Sequence, residues 1–268
     1  MPKIYNFTGI VKIMKLGFIG TGKISSSVIT GICSSKISFT KILISPRNKR
    51  NAQILKKKFK KVIIAKDNQE IVNSCNWVFL SVVPSVGEKI IKELKFKSNQ
   101  TIISFISTIT LAQLKKAIKV KAKIIRAIPL PPISLKKGPI PICPPNKKVR
   151  NFFNKIGTTV EIKNEKSSIN FWTTSGMMAP FYELLSVMVN WLVKRGVKRN
   201  NAQKYIISLF LALSEDAAAN SKKGLKYLVK ESQTPSGLNE QGVKELSRAG
   251  FYKSLEKTLN SIHKRLDK

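Results

Sequence analysis

"LGFIGTGKISSS" (residues 16–27) sets an apolar run of strand type against two glycines, Gly20 and Gly22, and follows them with a row of small residues. Two readings compete. One is an ordinary strand–turn–helix; the other is a strand end at which a phosphate comes very close to the backbone. The surroundings decide between them. From residue 15 to about 160, short β-rich runs ("KLGFIG", "KILIS", "KVIIA", "WVFLSVV", "TIISFIS", "KIIRAI") alternate with helical patterns such as "NAQILKKKF" and "GEKIIKEL". These runs are apolar nearly throughout instead of alternating, as in a parallel sheet covered on both faces. The βαβα order predicts an α/β fold with a doubly wound parallel sheet. A helix is expected over 26–35. The proline-rich patch "IPLPPISLKKGPIPICPP" (128–145) reads as loop and edge strand.

After about residue 163 the patterns become long and helical, with no convincing strand. "APFYELLSVMVNWLVKRG" (179–196) and "NNAQKYIISLFLALSEDAAANS" (200–221) are apolar over most of their circumference. Such helices are expected to be buried, here in an all-α domain whose core is shared with a second copy of the chain. The expected organisation is an N-terminal extension (1–13), a Rossmann-type dinucleotide-binding domain (14–163) and a helical dimerisation and substrate domain (164–268).

In this setting Gly20-x-Gly22-x-x-Ser25 has the register of a dinucleotide fingerprint, with a small residue in place of the third glycine. Gly20 permits the tight turn, Gly22 lets the pyrophosphate approach, and Ser25 allows close helix–strand packing. The pyrophosphate would rest on the helix N-terminus, where unpaired N–H groups and the dipole favour an anion. Ile19, Gly20, Thr21, Gly22, Lys23 and Ile24 are the expected contacts. An NAD site usually has an acid at the end of the second strand. No acid occurs from Lys23 to Lys66, and that strand ends in "SPRNKR" (45–50). Ser45 and Arg47, with Lys49 or Arg50, suit a ribose 2′-phosphate, so NADPH is expected as cofactor over NADH.

Composition narrows the function class. The 268 residues carry 49 Lys+Arg against 14 Asp+Glu, a net charge of +35. The lysines are scattered over solvent positions of every segment, which points to a solvated basic surface and away from a specific nucleic-acid partner. Three cysteines without a CxxC argue against a disulfide framework and fit a reducing cytoplasm. A single histidine, His263, near the C-terminus among Lys and Arg, excludes a His-rich metal site and argues against a Ser–His triad. No apolar run is expected to reach the length of a membrane span. Residues 1–13 lack the apolar core of a signal peptide, and Met14 is a candidate start.

The chain after Met14 resembles the pyrroline-5-carboxylate reductase family. "GFIGTGKI" is similar to its opening motif. "DNQEIV" (67–72) resembles its third-strand-to-helix segment and implies a role for Asn68 near the adenosine. "FLSVVPS" (79–85) resembles "FLAVKPQ" and implies that Ser81, Val82, Val83 and Pro84 lie at the cofactor. "IIRAIPLPP" (124–132) stands where the family has Arg-x-Met-Pro-Asn-Thr-Pro. "TPSGLNEQGVKELSRAGF" (234–251) aligns without a gap on "SPGGTTIxGLxxLExGGF". The resemblance implies a Rossmann domain followed by an interlocked helical dimerisation domain, a homodimer or higher oligomer, and reduction of a cyclic imine to proline by NADPH. The departures lie near the chemistry. Val83 replaces the lysine of "VKP", Leu130-Pro131-Pro132 replaces Asn-Thr-Pro, and residues 179–182 replace a Gly-Ser-Gly-Pro turn. Ser236 replaces a glycine, and Asn239 replaces the threonine that meets the ring nitrogen.

Hydride transfer to an imine needs little acid–base machinery: the protein orients two carbons, holds the substrate carboxylate and donates or accepts near the nitrogen. Ser236, Gly237, Leu238 and Asn239 are the expected substrate contacts, with turn amides receiving a carboxylate. Asn239 is either the residue that orients the imine nitrogen or an N-cap or first-turn residue of the helix. The active site is expected at the carboxyl edge of the sheet, with residues 236–239 contributed across a dimer. A related reductase of another imine or keto acid, and a dinucleotide-binding regulatory protein without turnover, remain as alternatives.

Overall fold

The computed structural model describes residues 14–266; the extension expected at 1–13 lies outside the described residues. The chain divides after Ser168 into two compact units, against a sequence-based boundary at residue 163. Glu165 explains the difference. Its carboxylate accepts from the Leu111 amide at 2.8 Å and from the Arg126 guanidinium, so the segment leading up to Ser168 stays tied to the sheet.

In the first unit β1 (Lys15–Ile19), α1 (Lys23–Cys33), β2 (Lys41–Ile44), α2 (Lys49–Lys58), β3 (Val62–Ile64), α3 (Asn68–Ser74), β4 (Trp77–Leu80) and α4 (Pro84–Glu93) follow in strict alternation. β5 (Thr101–Ser104), α5 (Leu111–Ile118), β6 (Lys123–Ala127), β7 (Pro139–Cys143), α6 (Lys147–Phe153) and β8 (Thr158–Glu161) complete it. The sheet runs β3-β2-β1-β4-β5-β6-β7-β8, so the order reverses between β1 and β4. Ligands of such sheets bind at that reversal, beyond the carboxyl ends of the strands.

The apolar runs work by period two. Leu16, Phe18, Ile42, Ile44, Phe79 and Ile103 face one core, and Phe18 stacks on Phe79 with ring centroids 4.3 Å apart. Ile19, Leu43, Val78, Leu80 and Ile102 face the other core with Ile71 and Val72 of α3. Both faces are covered, which is why alternation is invisible in the sequence.

Two expectations need correction. α1 starts at Lys23, three residues before the expected 26, so Gly22 itself is its N-cap, with no side-chain cap. The proline-rich patch forms an interior strand instead of an edge: β7 lies between β6 and β8, antiparallel to the first and parallel to the second. It tolerates proline because Pro139 opens the strand, and Pro141 sits where the ladder to β6 ends, accepting from the Ile128 amide at 3.2 Å. Between β6 and β7 a 3₁₀ turn, Pro131–Leu135, packs on α1. There a Cβ at Gly31 would lie 2.5 Å from the Ile133 carbonyl oxygen.

Among its described residues the second unit is all helix: α7 (Ser168–Ser175), α8 (Met178–Lys194), α9 (Arg199–Ala219), α10 (Leu225–Glu231), α11 (Leu238–Arg248) and α12 (Phe251–Leu266). α8 and α9 meet through Val189, Ala202 and Ile206, with Leu185, Leu192 and Phe210 packed around them. The burial expected for these helices is not supplied by the chain itself. Tyr182, Val187 and Trp191 of α8 and Tyr205, Ile207, Leu211 and Leu213 of α9 are more than half exposed. Glu165–Lys194 is also long and apolar enough, by length and composition alone, to cross a membrane. This differs from the expectation that no apolar run is so long, because small polar residues such as Thr173, Thr174 and Ser175 punctuate the segment.

Candidate functional site

At the reversal point β1 ends in a turn that only glycine can make. Gly20 has φ +98, and a Cβ there would lie 2.3 Å from the Ser81 carbonyl oxygen at the end of β4. Ser25 is fully buried, and its hydroxyl donates to the Gly20 carbonyl at 2.6 Å, fixing the turn on the first coil of α1. Gly22 is different. A Cβ at Gly22 would meet nothing within 4 Å, so no neighbour in the protein requires glycine there. The open space beside the first turn of α1 is the cradle a pyrophosphate needs. The Thr21 hydroxyl beside it is buried and has no hydrogen-bond partner among the described residues.

The ends of β2 and β3 form the next wall. The Ser45 hydroxyl donates to the Asn68 side-chain oxygen at 2.7 Å, joining the two strand ends. Arg47, Asn48 and Lys49 are exposed. Asn48 caps α2 by accepting from the Asn51 amide at 3.1 Å, and the Asn51 side chain donates to the Thr21 carbonyl at 2.8 Å. The second-strand turn is thereby bolted to the glycine turn. One acid, Asp67, borders this wall. Its carboxylate accepts from the Glu70 amide at 2.7 Å as the cap of α3.

A cleft of about 500 Å³ is lined by Gly20, Thr21, Gly22, Ser45, Arg47 and Asn68 together with Ser81, Val82 and Val83. A further space of about 400 Å³ lies between Ser45, Pro46, Arg47, Lys49, Lys66 and Asn68. Nine of the thirteen expected cofactor residues thus line one cleft. The other four lie beside it. Ile19 is buried in the core and Ile24 packs against it. Lys23 is the first residue of α1, and Pro84 is the first of α4. Val83, at the family's lysine position, is the N-cap of α4 and 62% exposed. The sequence reading missed Asn51 and the α4 residues Val86 and Ile90, which also line or brace this cleft. No local signal marks Asn51, because the Asn48 cap takes only its backbone amide, which any residue but proline supplies.

Behind the carboxyl edge, Arg126 is 3% exposed. Its guanidinium donates to the Ser107 carbonyl and pairs with Glu165. Burial holds its pKa below the usual value, against the opposing pull of Glu165. The pair ties β6 to the β5–α5 loop and to the start of α5. Removing one partner of such a pair typically costs about 3–5 kcal/mol.

In the second unit the expected substrate turn is built as follows. Gly237 is the N-cap of α11, so of the two helix roles considered for Asn239 the structure gives it the first-turn one. The Asn239 amide nitrogen instead donates to the Ser232 carbonyl at the end of α10, 2.8 Å away. The side-chain oxygen of Asn239 is not used in that bond and is an acceptor. Two turn amides expected to receive a carboxylate are engaged: Ser236 donates to Glu240 at 2.8 Å and Gly237 to the Thr234 carbonyl at 2.8 Å. The amides of Leu238, Asn239 and Glu240 are the first-turn donors without an intrahelical partner.

Comparison with known proteins agrees with this division. Residues 15–108 match the family model "NADP oxidoreductase coenzyme F420-dependent", and residues 169–268 match "Pyrroline-5-carboxylate reductase dimerisation". A pyrroline-5-carboxylate reductase of Synechocystis is 24% identical, over 94% of this chain and 97% of its own. The structure of 1-pyrroline-5-carboxylate reductase from Streptococcus pyogenes superposes with a TM-score of 0.79 at 22% identity, covering 95% of this chain and 98% of that one. Pyrroline carboxylate reductase from Plasmodium falciparum with NADP bound superposes with a TM-score of 0.80 at 20% identity, covering 94% and 97%.

Proposed function

We propose that this chain, which belongs to the pyrroline-5-carboxylate reductase family, is an oxidoreductase that reduces a cyclic imine with NADPH, 1-pyrroline-5-carboxylate to proline being the leading reaction. The observation that carries the cofactor half is Gly22. It faces open space at a helix N-terminus, in a cleft whose far wall presents Ser45 and Arg47 with no second-strand acid. The chemistry of that donor set suits a pyrophosphate and a ribose 2′-phosphate.

When bound, NADPH supplies the hydride. The residues of the chain hold and orient. Gly20, Gly22 and the first amides of α1 would receive the pyrophosphate. Ser45, Arg47 and Asn68 would hold the adenosine end, and Ser81, Val82, Val83 and Pro84 would border the rest of the cofactor. In the second unit the free amides of Leu238 and Asn239 receive the substrate carboxylate, Ser236 and Gly237 shape the turn, and the Asn239 side-chain oxygen accepts from the protonated imine nitrogen. The imine carbon is already electrophilic, so positioning supplies most of the rate enhancement and no histidine is called for.

The half-exposed apolar side chains of α8 and α9 support a homodimer or higher oligomer as the working form. Three unpaired cysteines suit a reducing compartment such as the cytoplasm. Consumption of NADPH on adding pyrroline-5-carboxylate, with proline as product, is the direct test. A second reading, a reductase of a different imine or keto acid, is favoured by Val83 in place of the family's lysine and by Leu130-Pro131-Pro132. NADPH oxidation with such substrates and none with pyrroline-5-carboxylate would select it. Tight NADPH binding without oxidation by any of them would leave a regulatory dinucleotide-binding protein.

A further inference from the structure

We propose that Glu240 is a positioning residue for the substrate turn, holding Ser236 in a left-handed backbone conformation that glycine would otherwise provide. The inference rests on the reading that residues 236–239 hold the substrate.

Ser236 has φ +61, a region that costs a non-glycine residue strain. Its amide donates to Glu240 Oε2 at 2.8 Å. The other oxygen of the same carboxylate pairs with Lys244 Nζ at 2.8 Å, one helical turn further on. Both contacts hold the Glu240 carboxyl below its usual pKa, Lys244 more than the amide. Glu240 is thus ionised and committed at neutral pH.

In the gap-free alignment with the family signature, Ser236 stands at a glycine and Glu240 at an isoleucine, which can accept no hydrogen bond. The two departures are four residues apart and physically joined. Serine introduces the strain, and glutamate supplies a charge-assisted bond that offsets it. The geometry at Ser236 sets the direction in which Gly237 and Leu238 enter α11, and therefore where the free amides of that helix point. Lys244 neutralises the added acid, so a substrate carboxylate at those amides meets a balanced pair instead of a bare negative charge.

The test is steady-state kinetics with NADPH and the cyclic imine, beside thermal melts, on Glu240→Ala, Glu240→Gln and the double variant Ser236→Gly/Glu240→Ala. Glu240→Ala is expected to raise KM about tenfold with kcat within about twofold, the size of one charge-assisted contact. Glu240→Gln keeps an acceptor for the Ser236 amide and is expected to keep most of the affinity that Glu240→Ala loses. The double variant is expected to return KM to within about twofold of the unmutated protein, because glycine reaches this φ without help. A lowered melting temperature with unchanged KM in Glu240→Ala would reduce Glu240 to a stabilising cap and overturn the proposal. A fall in KM would also overturn it, by making Glu240 a competitor of the substrate anion. If the unmutated protein reduces no imine, the substrate-turn reading fails and the role of Glu240 goes with it. If it does reduce the imine and Glu240→Ala matches it, only the positioning role fails.

Discussion

Gly20 lies so close under the carbonyl of Ser81 that a Cβ would stand 2.3 Å from that oxygen, while the Ser81 amide donates to the Ile19 carbonyl at 2.8 Å. The ends of β1 and β4 are in this way fused at the point where the sheet reverses. Gly22, two residues on, has no such constraint. The two glycines therefore separate architecture from ligand binding. Gly20→Ala is expected to cost about 2–4 kcal/mol of stability through strain and overlap. Gly22→Ala is expected to leave the melting temperature unchanged and to weaken NADPH binding by about tenfold or more. Equal destabilisation by the two substitutions would contradict the assignment of Gly22 to the pyrophosphate.

Cofactor choice is expected to follow Arg47. NADPH should bind more tightly than NADH, and Arg47→Ala should reduce that preference by about tenfold to a hundredfold, one charged hydrogen bond's worth. Fluorescence titrations of the unmutated protein and of Arg47→Ala with both cofactors check it. Superimposable NADPH and NADH curves for the unmutated protein would remove Arg47 from cofactor selection.

Asn239 is tied to Ser232 through its amide nitrogen. Asn239→Ala removes that tie and the acceptor oxygen together. Turnover is expected to fall by about 10- to 100-fold with NADPH affinity unchanged. Loss of the Ser232 bond alone is expected to cost only about 1 kcal/mol of stability. Kinetics beside a thermal melt separates the two effects. Normal turnover at a lowered melting temperature would leave the turn amides as the substrate's sole polar contacts in this unit.

Burial pushes the Cys33 and Cys75 thiols up to about 11 from an ordinary 9.0, with Lys61 opposing at Cys33 and Lys41 at Cys75. A raised folded-state pKa favours the protonated thiol in the native protein. The stability this contributes is full below about pH 9 and erodes as pH rises toward 11. The urea midpoint should drop over that interval, and a Cys33→Ala/Cys75→Ala variant should drop less. At neutral pH thiol reagents should label both cysteines slowly until the protein is unfolded.

The parts of this molecule that were legible in the sequence are those fixed by local physics. Uninterrupted apolar strands gave the parallel sheet, and the pair Gly20 and Gly22 gave the turn at its reversal. The absence of acids through Lys66 indicated the basic wall at Arg47. Features that depend on distant partners were not legible. β7 reads as an edge because prolines weaken a strand, yet its ladder to β6 is short enough that Pro141 loses little. Nothing local says that Asn51 braces Thr21, or that Arg126 is neutralised by Glu165 across 39 positions. The apolar faces of α8 and α9 were legible as apolar, but their cover lies outside a single chain.

The 3₁₀ turn Pro131–Leu135 carries a thermodynamic consequence. Two consecutive prolines have their φ angles set in advance, and the carbonyl of Ile133 is wedged against the backbone of α1 at Gly31. The segment that stands in place of the family's Asn-Thr-Pro therefore has few conformations to give up. A ligand that reaches it meets a surface already in its final shape, and little ordering entropy is charged against binding there.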